Sequence, residues 1–220
     1  MSRSARESAG GETWVVGDIE RRDEALEAAT RGCEVVIHCA SNLPTAEATD
    51  VVGTANLLWA AESAGVGHFL YVSIVGIEGV PLPYYGAKVA AEQAVMSSSV
   101  PWTILRTTQF HELLSEWLTM AATGGPALLA AGARFRPVAT SEVAERIVEL
   151  VDAGASGRVR DLGGPEVLSV EELAERHAAT SGVRAEIGVA APGTAAAAFL
   201  AGAQVGEDCD VGRIAFGMEG

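Results

Sequence analysis

Glu34-Val35-Val36-Ile37-His38-Cys39-Ala40 is a short β-branched run preceded by a glycine turn. Thr49 to Ala64 comes next, with Val52, Leu57, Leu58 and Ala61 near helical spacings, and Gly65 and Gly67 end it. Phe69-Leu70-Tyr71-Val72-Ser73 is a second apolar run. The outer pieces read as buried strands and the middle one as a helix stopped by glycine. Strand, helix and strand in this order make a βαβ crossover, which sets parallel strands side by side with the helix on one face. The stretch decides for an α/β fold.

The rhythm continues in both directions. Pro81 and Pro83 mark a loop before a helix from about Tyr84 to Ser97. Trp102-Thr103-Ile104-Leu105-Arg106 reads as a strand, and about Phe110 to Ala122 as a helix. Ser141 to Val151 reads as a helix and Val159 to Leu162 as a short strand, and Ser169-x-x-Glu172 is a capping box opening a helix to about Thr180. Upstream, Trp14-Val15-Val16 reads as a strand, trailed by Gly17-Asp18 and a helical stretch from Arg21 to Thr30. These patterns predict one domain: a core sheet over about 13–125, a small C-terminal α/β portion over about 126–185, and an Ala-rich tail over 186–220. No internal repeat is visible.

Composition bounds the function. At roughly 150 residues per domain, 220 residues make one to two domains. With 49% hydrophobic and 20% charged residues the chain is a folding sequence rather than a disordered one. Fifteen Lys+Arg against 29 Asp+Glu give a net charge of −14. That argues against a nucleic-acid partner and against docking to anionic membranes, but not against one anionic ligand in a small pocket. The polar start of the chain lacks the apolar stretch of a signal peptide. The nearest approach to a membrane span, Ile187 to Val205, is Ala/Gly-rich and carries Pro192. Cys33, Cys39 and Cys209 are an odd number without metal-ligand spacing, so the expectation is reduced thiols, no metal and a cytoplasmic protein.

The sharpest chemical feature is Tyr84-Tyr85-Gly86-Ala87-Lys88. Tyr84 and Lys88 are four apart at a helix start, which puts them on one face. Lys88 is the only lysine among 15 basic residues. With three tyrosines in 220 residues, chance puts one four places before it only about 1% of the time. A phenol titrates near 10, too high for a base at neutral pH. A cation one turn away stabilises the phenolate, and the tyrosine can then exchange a proton with a carbonyl or alcohol oxygen.

The neighbouring residues carry a resemblance. Val51-Val52-Gly53-Thr54-Ala55-Asn56-Leu57-Leu58-Trp59-Ala60-Ala61, then Gly65-Val66-Gly67-His68-Phe69-Leu70-Tyr71-Val72-Ser73, then Tyr84-x-x-x-Lys88, is similar to the middle of the short-chain dehydrogenase/reductases. Val100-Pro101-Trp102-Thr103-Ile104-Leu105-Arg106-Thr107-Thr108-Gln109-Phe110 is similar to that family's sixth strand and the segment after it. Arg136-Pro137-Val138 and Asp161-Leu162-Gly163-Gly164-Pro165-Glu166 resemble its NmrA-like branch. The similarity runs from about Trp14 to about Thr180.

The resemblance implies a Rossmann-type parallel sheet with flanking helices and a C-terminal portion on its substrate side. It implies oxidoreduction with NADP or NAD on a small carbonyl or alcohol substrate. Tyr84 would be the general acid/base, and Lys88 would lower its pKa and hydrogen-bond the nicotinamide ribose. Ser73 would orient the substrate carbonyl, although the family's usual hydroxyl aligns nearer Ile74. Asp18 and Ile19 would meet adenine; Cys39, Ala40 and Ser41 would lie where the fourth strand passes the cofactor. Arg106, Thr107, Thr108 and Gln109 would line the nicotinamide side. Blander roles compete: Asp18 as a helix cap, His111 as a structural residue, and Arg134 and Arg136 as solvated cations rather than anion ligands. Asp50 stands where many relatives carry Asn and reads as a solvated helix residue. NmrA-like relatives include proteins that bind dinucleotide as a signal without turnover, so a redox-sensing or regulatory role is the alternative.

The sequence departs from the family in one respect. The family cradles pyrophosphate with a glycine-rich turn between its first strand and helix. No G-x-G-x-x-G or G-x-x-G-x-x-G in that context occurs here. The expectation is therefore an N-terminally truncated sheet, either a chain lacking about forty to fifty upstream residues, the size of two βα units, or a variant incompetent for cofactor. The Val35–Ala40 strand would then be an apolar edge open to self-association, unless Trp14–Val16 pairs with it directly.

Overall fold

The computed structural model describes residues 1–4, 11–125 and 129–218. Part of the polar N-terminal stretch, including Gly10, lies outside the described residues, as do positions 126–128 and the last two. In chain order the elements are α1 (Glu24–Thr30), β1 (Val35–His38), α2 (Gly53–Ala64), β2 (His68–Ile74), α3 (Pro83–Ser97), β3 (Trp102–Thr107), α4 (His111–Ala122), β4 (Arg134–Phe135), α5 (Thr140–Ala153), β5 (Gly157–Arg158), β6 (Asp161–Gly163), β7 (Leu168–Ser169), α6 (Val170–Ser181), α7 (Ala195–Phe199) and β8 (Cys209–Val211). The main sheet has the order β1-β2-β3-β6-β8, with β5 also paired to β3. The registered pairs β1–β2, β3–β5, β3–β6 and β6–β8 are all parallel. This is the α/β architecture that the strand–helix rhythm predicts, and it is Rossmann-like, as the resemblance implies. No helix among the described residues is long and apolar enough to cross a membrane.

Contacts group the chain into two compact units. The first is Met1–Val72, Ala87–Ile104 and Leu150–Arg158. Its core joins Leu26 of α1, Leu57, Leu58 and Ala61 of α2, Phe69 and Tyr71 of β2, and Ala91 and Val95 of α3. The β-branched run Val35–Ile37 pairs with His68–Leu70, and β1 stands at one end of the sheet with Ile37 48% exposed. Helix α1 starts later than Arg21, because the carboxylate of Asp23 accepts from the backbone of Ala25 and Leu26 and fixes the N-terminus there. The strand expected at Trp14–Val16 is a correction. Among the described residues Val16 makes an isolated parallel bridge, to Ser2, and the registered partner of β1 is β2. Its backbone bonds include Ser2 N–H to Val15 O (2.9 Å) and Gly17 N–H to Ser2 O (3.0 Å).

The second unit is Ser73–Gly86, Leu105–Glu149 and Val159–Gly220. Phe135, Trp117 and Phe199 stack at 5.4–6.3 Å between ring centres in its core. Helix α6 opens with the expected capping box: Ser169 Oγ accepts from Glu172 N–H while Glu172 accepts from Ser169 N–H. Gly164 is required by close approach, since a Cβ there would lie 1.5 Å from the Pro137 carbonyl oxygen. The tail that carries few sequence signals contributes β8, which pairs in parallel with β6 over Asp161–Gly163. The strand expected at Val159–Leu162 is instead split, into β5 before it and β6 within and after it.

Candidate functional site

In the first unit, the chain leaving β1 and the turn after Val16 form a cleft of about 340 Å³. Asp18, Ile19, Ala40 and Ser41 line it, with Glu20, Asn42, Thr49 and Met1–Arg3. Four of the residues expected at the cofactor are thus brought together, Ala40 and Ser41 just past the carboxyl end of β1, the side on which open α/β sheets bind their ligands, and Asp18 and Ile19 in the turn after Val16. The volume falls in the range of small-molecule sites, roughly 300–1,000 Å³. Asp18 does not cap α1. Its Oδ1 accepts from Glu20 N–H at 3.0 Å, a local turn that sets the cleft wall. Thr49 donates to Glu20 Oε1 at 2.6 Å, and Asn56 Nδ2 donates to the Ile19 carbonyl at 3.0 Å. A Cβ on Gly53 would lie 2.8 Å from the Ile19 side chain, so the start of α2 presses directly on this wall. Cys39 is exposed and is not among the lining residues.

Lys88, on α3, is buried in the same unit at 3% exposure. Its Nζ donates to Val72 O at 3.1 Å, lies 3.5 Å from Asp50 Oδ1, and sits 4.4 Å above the centre of the Tyr71 ring. Burial holds its pKa below the ordinary lysine value, and the Asp50 carboxylate opposes that. Asp50 corrects the expectation of a solvated residue, for its exposure is 0%. Its Oδ1 accepts from Ser41 Oγ at 2.6 Å and its Oδ2 from Asn42 N–H at 3.3 Å. It sits in a π-helical turn, Glu47–Val52, that leads into α2 with Gly53 N–H bonded to Ala48 O. Beside it on the buried face, Thr54 meets His38 Nε2 at 2.9 Å. Burial foremost, with Lys88 adding, lowers the His38 pKa to about 3.

The sequence contains a signal for Asp50. Positions 50, 54, 57, 58 and 61 fall at helical spacings, and all five are buried. Asp50 thus continues the apolar stripe of α2, a place where an acid is buried only with partners.

In the second unit, Ser73 comes after Val72 on β2 and is 1% exposed, and its Oγ has no hydrogen-bond partner among the described residues. Thr107 Oγ1 donates to the Ser73 carbonyl at 3.5 Å. Tyr84 is half-buried and its ring lies 5.8 Å from that of Tyr85, which packs edge-on to Phe199. Burial pushes the Tyr85 phenol above its ordinary value. Arg106 forks onto Glu78, at 2.8 Å from Nη1 to Oε2. Thr108 Oγ1 donates to the Arg136 carbonyl, and Gln109 is buried. Arg136 donates to Cys209 Sγ at 2.7 Å. His111 is buried with its ring edge-on to Phe216, and Arg134 is exposed.

These residues fit a nicotinamide dinucleotide in part. The first unit has a cleft of small-molecule size and a buried lysine, the second a buried hydroxyl lacking a protein partner among the described residues, whereas a glycine-rich pyrophosphate turn is not in the sequence.

The chain resembles known proteins in sequence and in fold. It is 29% identical over 170 residues to NADH dehydrogenase [ubiquinone] 1 alpha subcomplex subunit 9, mitochondrial, of Arabidopsis thaliana, covering 70% of this chain and 42% of that protein. It is 29% identical over 154 residues to (4-alkanoyl-5-oxo-2,5-dihydrofuran-3-yl)methyl phosphate reductase of Streptomyces griseus, covering 67% of this chain and 52% of that one. The chain spans about half the length of these curated relatives. Among solved structures, the Bordetella bronchiseptica enzyme WbmH in complex with NAD+ superposes with a TM-score of 0.68 at 18% identity, over 84% of this chain and 71% of that one, a likeness of fold. Residues 2–153 match the NAD(P)H-binding family, and over that span, most of its length, the chain belongs to this NAD(P)H-binding family.

Proposed function

We propose that the chain serves an NAD(P)-dependent oxidoreduction of a small carbonyl or alcohol substrate, in the manner of the short-chain dehydrogenase/reductases. The observation that carries this reading is Lys88. It is the only lysine, it is 3% exposed, it is held by a carbonyl and a carboxylate, and a half-buried tyrosine precedes it by four residues on α3. An exposed lysine would serve solubility. A buried one is retained against its desolvation cost.

The residues divide the work. Asp18, Ile19, Ala40 and Ser41 would hold the adenosine end in their cleft. Lys88 would donate to a ribose hydroxyl. Arg106, Thr107, Thr108 and Gln109 would border the nicotinamide. The hydroxyls of Tyr84 and Ser73 would address the substrate oxygen, with Tyr84 giving or taking the proton at that atom. NAD(P), when bound, supplies or accepts the hydride. The relative from Streptomyces griseus, a reductase by name, supports this direction of chemistry.

A second reading is an NAD(P)-binding protein without turnover that works inside an assembly. The Arabidopsis thaliana relative is a subunit by name, and the outer edge of β1, with Ile37 half-exposed, offers a strand for pairing with another chain or a second copy.

Calorimetric titration of NADPH and NADH into the full chain, with turnover assays of Tyr84→Phe after it, separates them. The oxidoreductase reading expects cofactor binding in the micromolar range and a loss of about 10²–10⁴-fold in turnover with cofactor affinity kept. Turnover unchanged in Tyr84→Phe removes the mechanism. Cofactor binding with no turnover by the parent chain supports the second reading, and no binding at millimolar cofactor removes both.

A further inference from the structure

Two glutamines of the second unit are buried, and the fold uses them in opposite ways. Gln204 is 0% exposed, and its Nε2 donates twice, to the Arg134 carbonyl at 2.8 Å and to the Phe199 carbonyl at 2.7 Å. It ties β4 to the end of α7. Gln109 is 3% exposed, and neither its Oε1 nor its Nε2 has a hydrogen-bond partner among the described residues. Its backbone, by contrast, is pinned. The Gln109 carbonyl accepts from Val138 N–H at 3.0 Å, and the Val138 carbonyl accepts from His111 N–H at 3.1 Å. Folding places this amide without bonding it.

A buried polar atom without a partner carries the full cost of leaving water, and an apolar side chain of the same length would fill the space without it. The chemistry of the proposed site lies next to this amide. β2 and β3 are neighbours in the sheet, and Val75 N–H donates to Thr107 O at 2.9 Å, joining the chain just past β2 to the last residue of β3. Ser73, next to last in β2, has a buried hydroxyl that likewise lacks a partner among the described residues. Gln109 follows the end of β3 by two residues. Both stand at carboxyl ends of strands, the side on which open α/β sheets bind ligands. Burial raises the pKa of the Tyr85 phenol, Tyr84 adds to that, and the Gln109 amide opposes both, so amide and phenol are close neighbours. The cations nearest in sequence are engaged, Arg106 with Glu78 and Arg136 with Cys209 Sγ. The cluster of Ser73, Tyr84, Tyr85 and Gln109 is neutral and offers both donors and acceptors.

We propose that Gln109 is a specificity-determining residue of the second unit, and that its amide takes a neutral hydroxyl carried one or two carbons from the reacting carbonyl. The substrate class is then hydroxy ketones and the corresponding diols. A hydroxyl both donates and accepts, and the amide offers one group for each. A carboxylate or phosphate would bring its charge to a neutral cluster. The spacing follows from the sheet. Neighbouring strands lie about 4.8 Å apart, so groups at the ends of β2 and β3 address oxygens on nearby carbons rather than opposite ends of a long molecule. The inference rests on the oxidoreductase reading for the oxygen that reacts, at Ser73 and Tyr84; the second oxygen is read by Gln109 alone.

The test has a stability arm and a selectivity arm. Gln109→Met and Gln204→Met keep the length of the side chain and remove its amide. Thermal unfolding of the full chain is expected to fall by at least about 4 °C in Gln204→Met, which strips two carbonyls of their donor, and to stay level or rise in Gln109→Met. A fall in Gln109→Met as large as that in Gln204→Met, or failure to fold, makes Gln109 a strut and overturns the proposal. Binding of butanone, acetoin and 4-hydroxy-2-butanone is then followed by ligand-observed NMR titration, with and without NADPH. At least one of the two hydroxy ketones is expected to bind the parent chain about five-fold or more tightly than butanone, the fold-change of one net hydrogen bond, and that ratio is expected to fall toward one in Gln109→Met. A ratio of one in the parent chain, an unchanged ratio in Gln109→Met, or no binding of any of the three overturns it. So does a Gln109→Met variant whose only loss is in NADPH affinity, for then the amide serves the cofactor. Selective binding of a hydroxy ketone without turnover keeps Gln109 as the group that reads the hydroxyl and removes the oxidoreduction proposed above.

Discussion

Lys88 of the first unit and Arg106 of the second are both cations expected at the cofactor, and both are paired with carboxylates, yet their settings are opposite. Lys88 and Asp50 are 3% and 0% exposed, and Asp50 has further donors from Ser41 and Asn42. Arg106 is 6% exposed, but its partner Glu78 is 60% exposed and lies in the loop after β2. The first pair is imposed from both ends by the fold. The second is a buried guanidinium whose far end reaches water through a surface acid. A buried charge that loses its partner stays unpaired, whereas one that borders solvent is rescued by water.

The largest effect expected from this contrast is in stability. Lys88→Met leaves the Asp50 carboxylate without its cation, and a loss of about 3–5 kcal/mol is expected, as for other broken buried pairs. The double variant Asp50→Asn with Lys88→Met removes both charges and is expected to recover most of that loss. Urea unfolding of the two single variants and the double measures it. Costs that simply add would mean that the two side chains do not act as a pair.

Next in size is a pH effect at His38, which shares the buried polar layer with Asp50 and Thr54. Its folded pKa of about 3 lies below the ordinary value of 6.5. Above pH 6.5 neither the folded nor the unfolded state binds the proton, and the contribution to stability is constant. Below it the unfolded chain takes up a proton that the folded one refuses, so stability falls by about 1.4 kcal/mol per pH unit toward the folded pKa. The difference in urea midpoint between the parent chain and His38→Asn, tracked from neutral pH to about pH 4, isolates this group. Parallel curves for the two proteins would show that His38 titrates normally, with the burial around it not excluding water.

Much of the first unit is legible in the sequence because short apolar runs, buried almost throughout, alternate with longer helical stretches, the first of them ended by glycine. β2 and β3 are such runs, buried on both faces, and α2 and α3 are the helical stretches before and between them. The cleft residues Asp18, Ile19, Ala40 and Ser41 are legible only through family resemblance, since no period marks them. Asp50 is misread because residue type and position disagree: an acid favours water, while helical spacing from Leu57 and Leu58 favours the core. Position prevails, through partners contributed by residues eight, nine and 38 places away in sequence. Strand β8 is illegible for another reason. Three residues carry no detectable alternation, and β8 exists by virtue of β6 beside it. Trp14–Val16 has strand composition, yet among the described residues it forms an isolated bridge at Ser2 rather than a registered strand.

The smallest effect sharpens the comparison through salt. Glu78→Gln keeps an acceptor near Arg106 and removes only the charge. Its cost is expected near 1 kcal/mol, the upper end for a pair open to solvent, since Arg106 itself is buried. Screening acts within about 3 Å of a charge at 1 M salt, so an acid that is 60% exposed is reached by counterions. The cost of Glu78→Gln should therefore shrink at high salt. The cost of Lys88→Met should not, because no ion enters where both partners are almost fully buried. Paired urea titrations at low and high sodium chloride read both variants. Equal salt dependence would show that water reaches Asp50 as freely as Glu78, and the contrast between an imposed pair and a solvent-rescued one would collapse.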